Sequence, residues 1–398
     1  MKTITVILIF ACAMIGFSQR SDVACIVRGN TDFAIDIYLK TCQESGDMFF
    51  SPYSISTALA MTYAGARNET EKQMAQALRF SLAQERLHPA FSELQTRLQR
   101  LQKISDFKLN IANALWIEKS YQLLAEFLDV SQKNYDATLF HLDFKKDSEN
   151  SRLKINGWVE KKTEGKIRDL LAEGIITALT RLVLTNTIYF KAEWENQFNA
   201  DNTKTDKFWL TEEKKTEVQM MEQRNYFGYE EFENLQVLEM RYQGGALSMF
   251  VFLPKKIDGL SDVESELNSG TLKGWTSNLR RQEVRVYLPK FKTTKDLNLK
   301  EILVSMGMAD AFSMNADFSG MEPEKELFIT DALHKAFIEV DEAGTEAAAA
   351  TAVVVGVKSA FPIKEPPVFR ADHPFMFLIR ENENKSILFM GRLTEPGN

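Results

Sequence analysis

Four histidines, His88, His141, His334 and His373, are the first residues to test for chemistry. No two stand at metal-ligand spacing, and neither C-x-x-C nor H-E-x-x-H occurs. The glycines form no P-loop and no G-x-G-x-x-G turn, and no G-x-S-x-G elbow presents a serine nucleophile. A Ser-His-Asp triad dispersed along the chain stays open, because triads are set by geometry and not by order. His334 lies in an apolar run at 327–340 and is read as a hydrogen-bond partner for Asn186, Ser51 or Ser54, not as a base. Asn186 is the polar centre of LVLTNTIYF (182–190), where a buried carboxamide needs partners. Neither a metal nor a cofactor is expected.

Three other patterns bear on ligands. Arg97, Arg100 and Lys103 recur at threes beside an apolar stripe of Leu94, Leu98 and Leu101. Such a face attracts a sulfated glycosaminoglycan, and the plain alternative is a solvated helix surface. Two N-x-S/T sequons, Asn68 with Thr70 and Asn384 with Ser386, are glycan acceptors in a secreted chain, Asn384 in an accessible polar turn. Besides Cys12, the cysteines are Cys25 and Cys42. A helix over 31–42 would be about 18 Å long, and a disulfide needs Cα atoms within about 7 Å, so no bond is expected between them.

The stretch EAGTEAAAATAVVVGVK, Glu342 to Lys358, has two possible homes. Its alanines favour helix and its β-branched residues favour strand. As a strand it would carry Thr345, Ala347, Ala349, Thr351, Val353, Val355 and Val357 on one uncharged face with no bulky group at its leading end, and Glu346 and Lys358 on the other. Such a segment slots into the middle of a sheet. Gly344 at its base tolerates hinge dihedrals.

These residues need a scaffold, and 398 residues with 44% hydrophobic content supply a sizeable core. Residues 1–18 read as a secretory signal peptide: Lys2, then an apolar run from Ile4 to Phe17, then small residues. The expectation is a secreted, extracellular chain with one domain from 19 to 398. No later run is long enough to cross a bilayer. The net charge of −7, or −8 without Lys2, disfavours nucleic acid and anionic membrane as partners. Asn30-Thr31-Asp32 reads as a helix cap, and Ser51 with Pro52 as a second. Helices are expected within 69–104, 121–135, 150–171, 259–281 and 296–307. Strands are expected at 108–117, 182–190, 236–242, 246–253, 284–288, 327–340, 375–380 and 386–393. Helices early and strands late, without βαβ alternation, predict an α+β unit.

The set FFSPYSIS (49–56), TNTIYFKAEWENQF (185–198), VFLPK (251–255), YLPKF (287–291), ADFSGM (316–321), HKAFIEVDEAGTEAAAA (334–350), DHPFMFLIR (372–380) and ILFMGRL (387–393) resembles the serpin family in order and spacing. The wording ADHPF and the N-terminus are similar to secreted arthropod members. The resemblance implies three β-sheets ringed by helices, with an exposed reactive-centre loop at about 342–367. It implies a monomeric suicide inhibitor. A serine protease is acylated by the loop, the cut loop enters the main sheet as a new strand, and the protease is trapped. The native form is then kinetically stable.

Carried over by resemblance, Glu342, Gly344, Thr345, Glu346 and Ala347, Ala348, Ala349 and Ala350 form the inhibitory hinge. Ser51, Ser54, Asn186 and His334 match the shutter beneath the opening sheet, and Trp194 and Phe198 the breach. Seventeen residues from Glu342 end at Lys358, which puts the scissile bond at Lys358–Ser359 and selects trypsin-like proteases. Counting back from His373 by the shortest family spacing points instead to Ile363–Lys364. A non-inhibitory carrier is the alternative function, and a hydrolase a third.

Overall fold

The computed structural model describes residues 2–105, 107–345 and 365–396, and of residues 2–20 only the backbone. The first half holds α1 (Lys2–Thr41), β1 (Met48–Phe50), α2 (Pro52–Tyr63), α3 (Asn68–Ala77) and α4 (Gln84–Ser105). It continues with β2 (Lys108–Glu118), α5 (Ala125–Tyr135), β3 (Thr138–Leu142), α6 (Ser148–Lys162) and β4 (Leu182–Glu193). Mostly strands follow: β5 (Lys204–Trp209), β6 (Lys215–Glu231), β7 (Leu235–Arg241) and β8 (Leu247–Pro254). After α7 (Leu260–Ser265) and α8 (Ser269–Ser277) come β9 (Arg280–Pro289), β10 (Phe291–Asn298) and α9 (Leu299–Ser305). The chain ends with β11 (Ile329–Val340), β12 (Gly344–Thr345), β13 (Val368–Arg370), β14 (Phe375–Glu381) and β15 (Ile387–Leu393).

Among the described residues these strands make two hydrogen-bonded sheets. The six-stranded sheet runs β10-β11-β12-β4-β2-β3. The other runs β1-β15-β14-β8-β7-β6-β9-β13, with β5 on β6. Two of the three expected sheets are thus joined along the long β6, which pairs with β7 at Gly228–Glu231 and with β9 over Met220–Tyr229.

Residues 182–190 of β4 are all buried, as befits a strand covered on both faces. Beneath it runs α2, every residue of it buried. Ser51 caps α2 by accepting from the Ser54 N–H, and Pro52 occupies its first turn. Small Ser, Thr and Ala side chains let this helix lie close under the sheet. The opposite face is covered by α6 and the segment after it, where Val159, Ile167 and Leu170 pack on Tyr189 and Phe337.

Three expectations are corrected. No helix starts at Asn30-Thr31-Asp32: α1 passes straight through, Thr31 donating back to the Val27 carbonyl and Asn30 to the Ile387 carbonyl. The helix expected to reach 171 stops at Lys162, because Glu164 and Gly165 adopt left-handed dihedrals and the Thr163 hydroxyl donates to the Val159 carbonyl. A strand, β10, precedes α9 and was not read from the sequence; its eight residues pair with β11 from Val340 to Leu333.

Candidate functional site

The centre of the six-stranded sheet is a fork. Over most of their length β11 and β4 pair directly and in parallel, from Ile329 opposite Leu182 to Phe337 opposite Tyr189. Above Tyr189 they part, and β12 sits between them. Thr345 pairs antiparallel with Val340 on one side and with Ala192 on the other. Gly344 faces Glu193 so closely that a Cβ there would lie 2.1 Å from the Ala192 carbonyl oxygen. Glycine is required by that approach. Thr345 is fully buried, and its hydroxyl shares a hydrogen bond of 2.8 Å with the Tyr242 hydroxyl.

The turn that feeds this fork is held at several points. The Asp341 carboxylate accepts from the Ala343 and Gly344 amides at 2.9 and 3.1 Å. The Trp194 indole donates to the Asp341 carbonyl and stacks on Tyr242 with centroids 4.6 Å apart. The Phe198 amide donates to the Glu342 carbonyl at 2.8 Å. The Glu342 carboxylate takes Lys290 at 2.7 Å and the Thr203 hydroxyl at 2.8 Å. Burial opposes ionisation of Glu342, but these partners hold its carboxyl below the usual range.

Lower down, under the closed part of the fork, the predicted shutter residues meet. Asn186 lies opposite His334 on β11 and Asn113 on β2. Its nitrogen donates to the Ser54 hydroxyl at 2.6 Å and to the Asn113 carbonyl oxygen, and its oxygen accepts from His334 Nδ1. His334 Nε2 accepts from the Ser51 backbone N–H at 3.1 Å. The Ser51 hydroxyl donates to the Leu388 carbonyl at 2.6 Å, which ties α2 to β15. Burial drives the His334 pKa down to about 3, so the ring is neutral. With neither a serine hydroxyl nor a carboxylate on its ring nitrogens, His334 is no triad base.

Asn113, Tyr242, Lys290 and Thr203 were missed in the sequence. Only Asn113 left a trace there, as a polar residue inside the strand run of β2. The others are joined to the hinge by long-range pairing alone. Glu346, Ala347 to Ala350, Lys358 and Ser359 lie outside the described residues.

The basic face of α4 is corrected in part. Arg97 is engaged by Glu381 and Glu383 at 3.1 and 2.6 Å, leaving Arg100 and Lys103 exposed. Asn68 is exposed, and its carboxamide donates to Asp317 at 2.8 Å. Asn384 does not match the expected accessible acceptor, since its amide nitrogen is buried without a partner. Cys25 and Cys42 are both free. Cys25 lies on α1 and Cys42 directly follows its last residue, about 25 Å away by the helical rise. Among the described residues no helix is long and apolar enough to cross a membrane, and no group of metal-ligating side chains forms.

The family model described as "Serpin (serine protease inhibitor)" matches residues 28–396. This chain belongs to the serpin family. Leukocyte elastase inhibitor of Sus scrofa is 42% identical over 377 residues, covering 92% of this chain and 98% of that protein. Human serpin B3 is 41% identical over 387 residues, with the same coverage. Among solved structures, thyroxine-binding globulin in complex with its hormone has a TM-score of 0.85 at 32% identity, covering 95% of this chain and all of that one. Uncleaved ovalbumin has a TM-score of 0.84 at 32% identity, covering 92% and 99%. The serpin fold is thereby established, and family members inhibit proteases instead of catalysing a reaction.

Two expectations fall to this comparison. The likeness to arthropod members is not upheld, because the relatives at 41 and 42% identity are vertebrate proteins. The secreted, extracellular placement is overturned, because leukocyte elastase inhibitor and serpin B3 are intracellular proteins.

Proposed function

We propose that the chain is a suicide inhibitor of serine proteases, with one serpin domain over 19–398 and a reactive-centre loop over about 342–367. The observation that carries this reading is the fork: Gly344 and Thr345 already seated between β11 and β4, above a parallel ladder that a longer strand can part. Thr345 turns its side chain inward against Tyr242. By alternation Ala347, Ala349, Thr351 and Val353 would take the same inward side. None of them is charged or too wide for the space between two strands.

Cleavage falls at Lys358–Ser359 in this reading, the length of the hinge setting the register. A lysine before the bond suits trypsin-like proteases, whose primary pocket is acidic. The relatives named for leukocyte elastase set the opposing case, a chymotrypsin-like target. Mixing the chain with trypsin and with an elastase decides between them. Trypsin is expected to give a complex that survives boiling in detergent, with a released peptide starting at Ser359. Clean cleavage of the chain, with no such complex from either protease, sinks inhibition altogether.

The second reading is a non-inhibitory carrier. It is favoured by an open, largely apolar cavity of about 650 Å³ between α1, α8 and the β14–β15 hairpin, bordered by Leu272, Leu378 and Arg380. Thyroxine-binding globulin, a structural neighbour, is solved with thyroxine bound. A carrier would gain no thermal stability when its loop is cut, which separates the two readings.

A further inference from the structure

The six-stranded sheet ends at β3, and among the described residues no strand pairs with its far side. Both ends of β3 are fixed. Asp136 takes left-handed dihedrals that stop α5, and the Ala137 amide donates back to the Ser131 carbonyl at 3.3 Å. After β3 the buried Glu118 carboxylate accepts from the Phe144 and Lys145 amides at 2.7 and 3.2 Å. Between these anchors β3 pairs with β2 in unbroken parallel register, from Ala114 opposite Thr138 to Glu118 opposite Leu142. The Leu142 carbonyl accepts from the Lys119 amide, so Leu142 turns its backbone groups towards β2. By alternation Thr138 and Phe140 do the same, and Leu139 and His141 turn theirs outward. The outward N–H and C=O groups of Leu139 and His141 have no hydrogen-bond partner among the described residues.

Such an edge is a template for a further strand, and β3 carries neither a proline nor a bulge to protect it. Its α6 side is apolar. The half-buried Phe140 stacks on Trp116 with centroids 4.2 Å apart and meets the edge of Trp158 at 5.8 Å. Charge selects the partner. Lys133 before β3 and Lys146 after it are exposed, and among the described residues neither joins an ion pair. Lys145 is exposed too, its ammonium over the Tyr121 ring and donating to the Ser120 hydroxyl at 3.0 Å. Along 133–146 the acids are Asp136 and Asp143, and Asp143 is already held by Lys119 at 2.7 Å. The edge is therefore left with surplus positive charge.

We propose that the outer edge of β3 binds an acidic, extended polypeptide segment as an added strand. The segment takes up the backbone groups of Leu139 and His141, which gives affinity, while side chains at alternate positions give selectivity. An apolar side chain lies beside Phe140, and acidic ones before and after it answer the lysines. The anchors at both ends hold the edge in the bound conformation beforehand, so little ordering cost falls on this chain. A second copy of the chain is a poor partner, because pairing β3 with β3 would bring lysines against lysines. This surface does not depend on the inhibitory reading above.

The test uses the full chain and a fluorescein-labelled peptide of alternating glutamate and valine, six residues long, read by fluorescence anisotropy. Saturable binding is expected, weakening on the order of tenfold as salt rises from about 0.05 to 0.5 M. An added strand points alternate N–H groups at β3. N-methylating one alternate set of peptide residues is therefore expected to abolish binding, and N-methylating the other set to spare it. His141→Pro deletes one outward N–H at a position where an edge strand accepts proline, and is expected to weaken binding on the order of fivefold. Lys133→Glu combined with Lys146→Glu is expected to weaken it on the order of tenfold at low salt. The peptide series is read on the native chain, so it decides the matter even if His141→Pro fails to fold. Binding indifferent to both N-methylated peptides and to the lysine variant puts the peptide elsewhere, such as between β11 and β4, and overturns the site. Absence of saturable binding at millimolar peptide overturns it equally, and equal binding of a lysine-valine peptide overturns the choice of an acidic partner.

Discussion

His334 is locked into a single protonation state by two partners of fixed character. A backbone N–H can only donate, so Nε2 must be bare and Nδ1 must carry the proton given to Asn186. Protonating Nε2 would set two donors against each other in a dry site. Burial lowers the pKa of His334 to about 3 and that of His88 to about 4, both below the value of about 6.5 in an unfolded chain. The unfolded chain therefore binds more protons, and stability present above pH 6.5 is lost as pH falls towards 4. At pH 5 each histidine is expected to cost about 2 kcal/mol. Melting of the native protein between pH 7 and 5 checks this, and His334→Gln should remove about half of the slope. Gly344 is the other decisive residue. In Gly344→Ala the new methyl collides with the backbone carbonyl of Ala192, which has no room to yield. That variant is expected to lose the β12 pairings and to be cut by trypsin as a substrate, with little stable complex on a denaturing gel.

At the scale of elements the hinge is a contest between strands. A strand entering between β11 and β4 exchanges one parallel ladder for two antiparallel ones, a net gain in backbone hydrogen bonds. The first two residues have made that exchange already. Thr345→Arg would force a charge against Tyr242 in a site with no exposure, at a cost of several kcal/mol. It is expected to turn inhibitor into substrate, read as cleaved chain against trapped protease. Tyr242→Phe is milder. It strands the Thr345 hydroxyl and is expected to lower stability by about 1 kcal/mol in thermal melts while keeping the stacking with Trp194. Under the proposed mechanism the strap after α6 would oppose insertion. Asn156 on α6 both donates to and accepts from the backbone of Leu171, holding 163–171 across β4 and β11.

For the whole molecule, the proposed inhibition requires the incomplete sheet to be the energy store. If residues beyond Thr345 can continue the strand, cutting the loop lets the fork open downward along β11, with the new strand filling the gap. The cut protein is expected to melt many degrees higher than the intact one, since each added residue makes ladder hydrogen bonds on both sides. Differential scanning of trypsin-nicked and intact chain measures it, and an unchanged melting temperature removes the spring. The same comparison on Thr345→Arg should show no gain, because the strand cannot start.

Motifs local in sequence are legible without the fold: the Ser51 cap and the buried strand around Asn186. Each depends on residue type and on the period of a single element. Arg97 looked like a free cation until Glu381 and Glu383, nearly three hundred residues later, came beside it. Tyr242 and Lys290 gave no local sign of serving the hinge. Asn384 looked open in a polar turn, and packing hid its nitrogen. Periodicity along one strand says which side chains share a face. Which strand lies opposite, and how far a hinge has entered between its neighbours, depends on register between distant segments, and only the folded chain sets that.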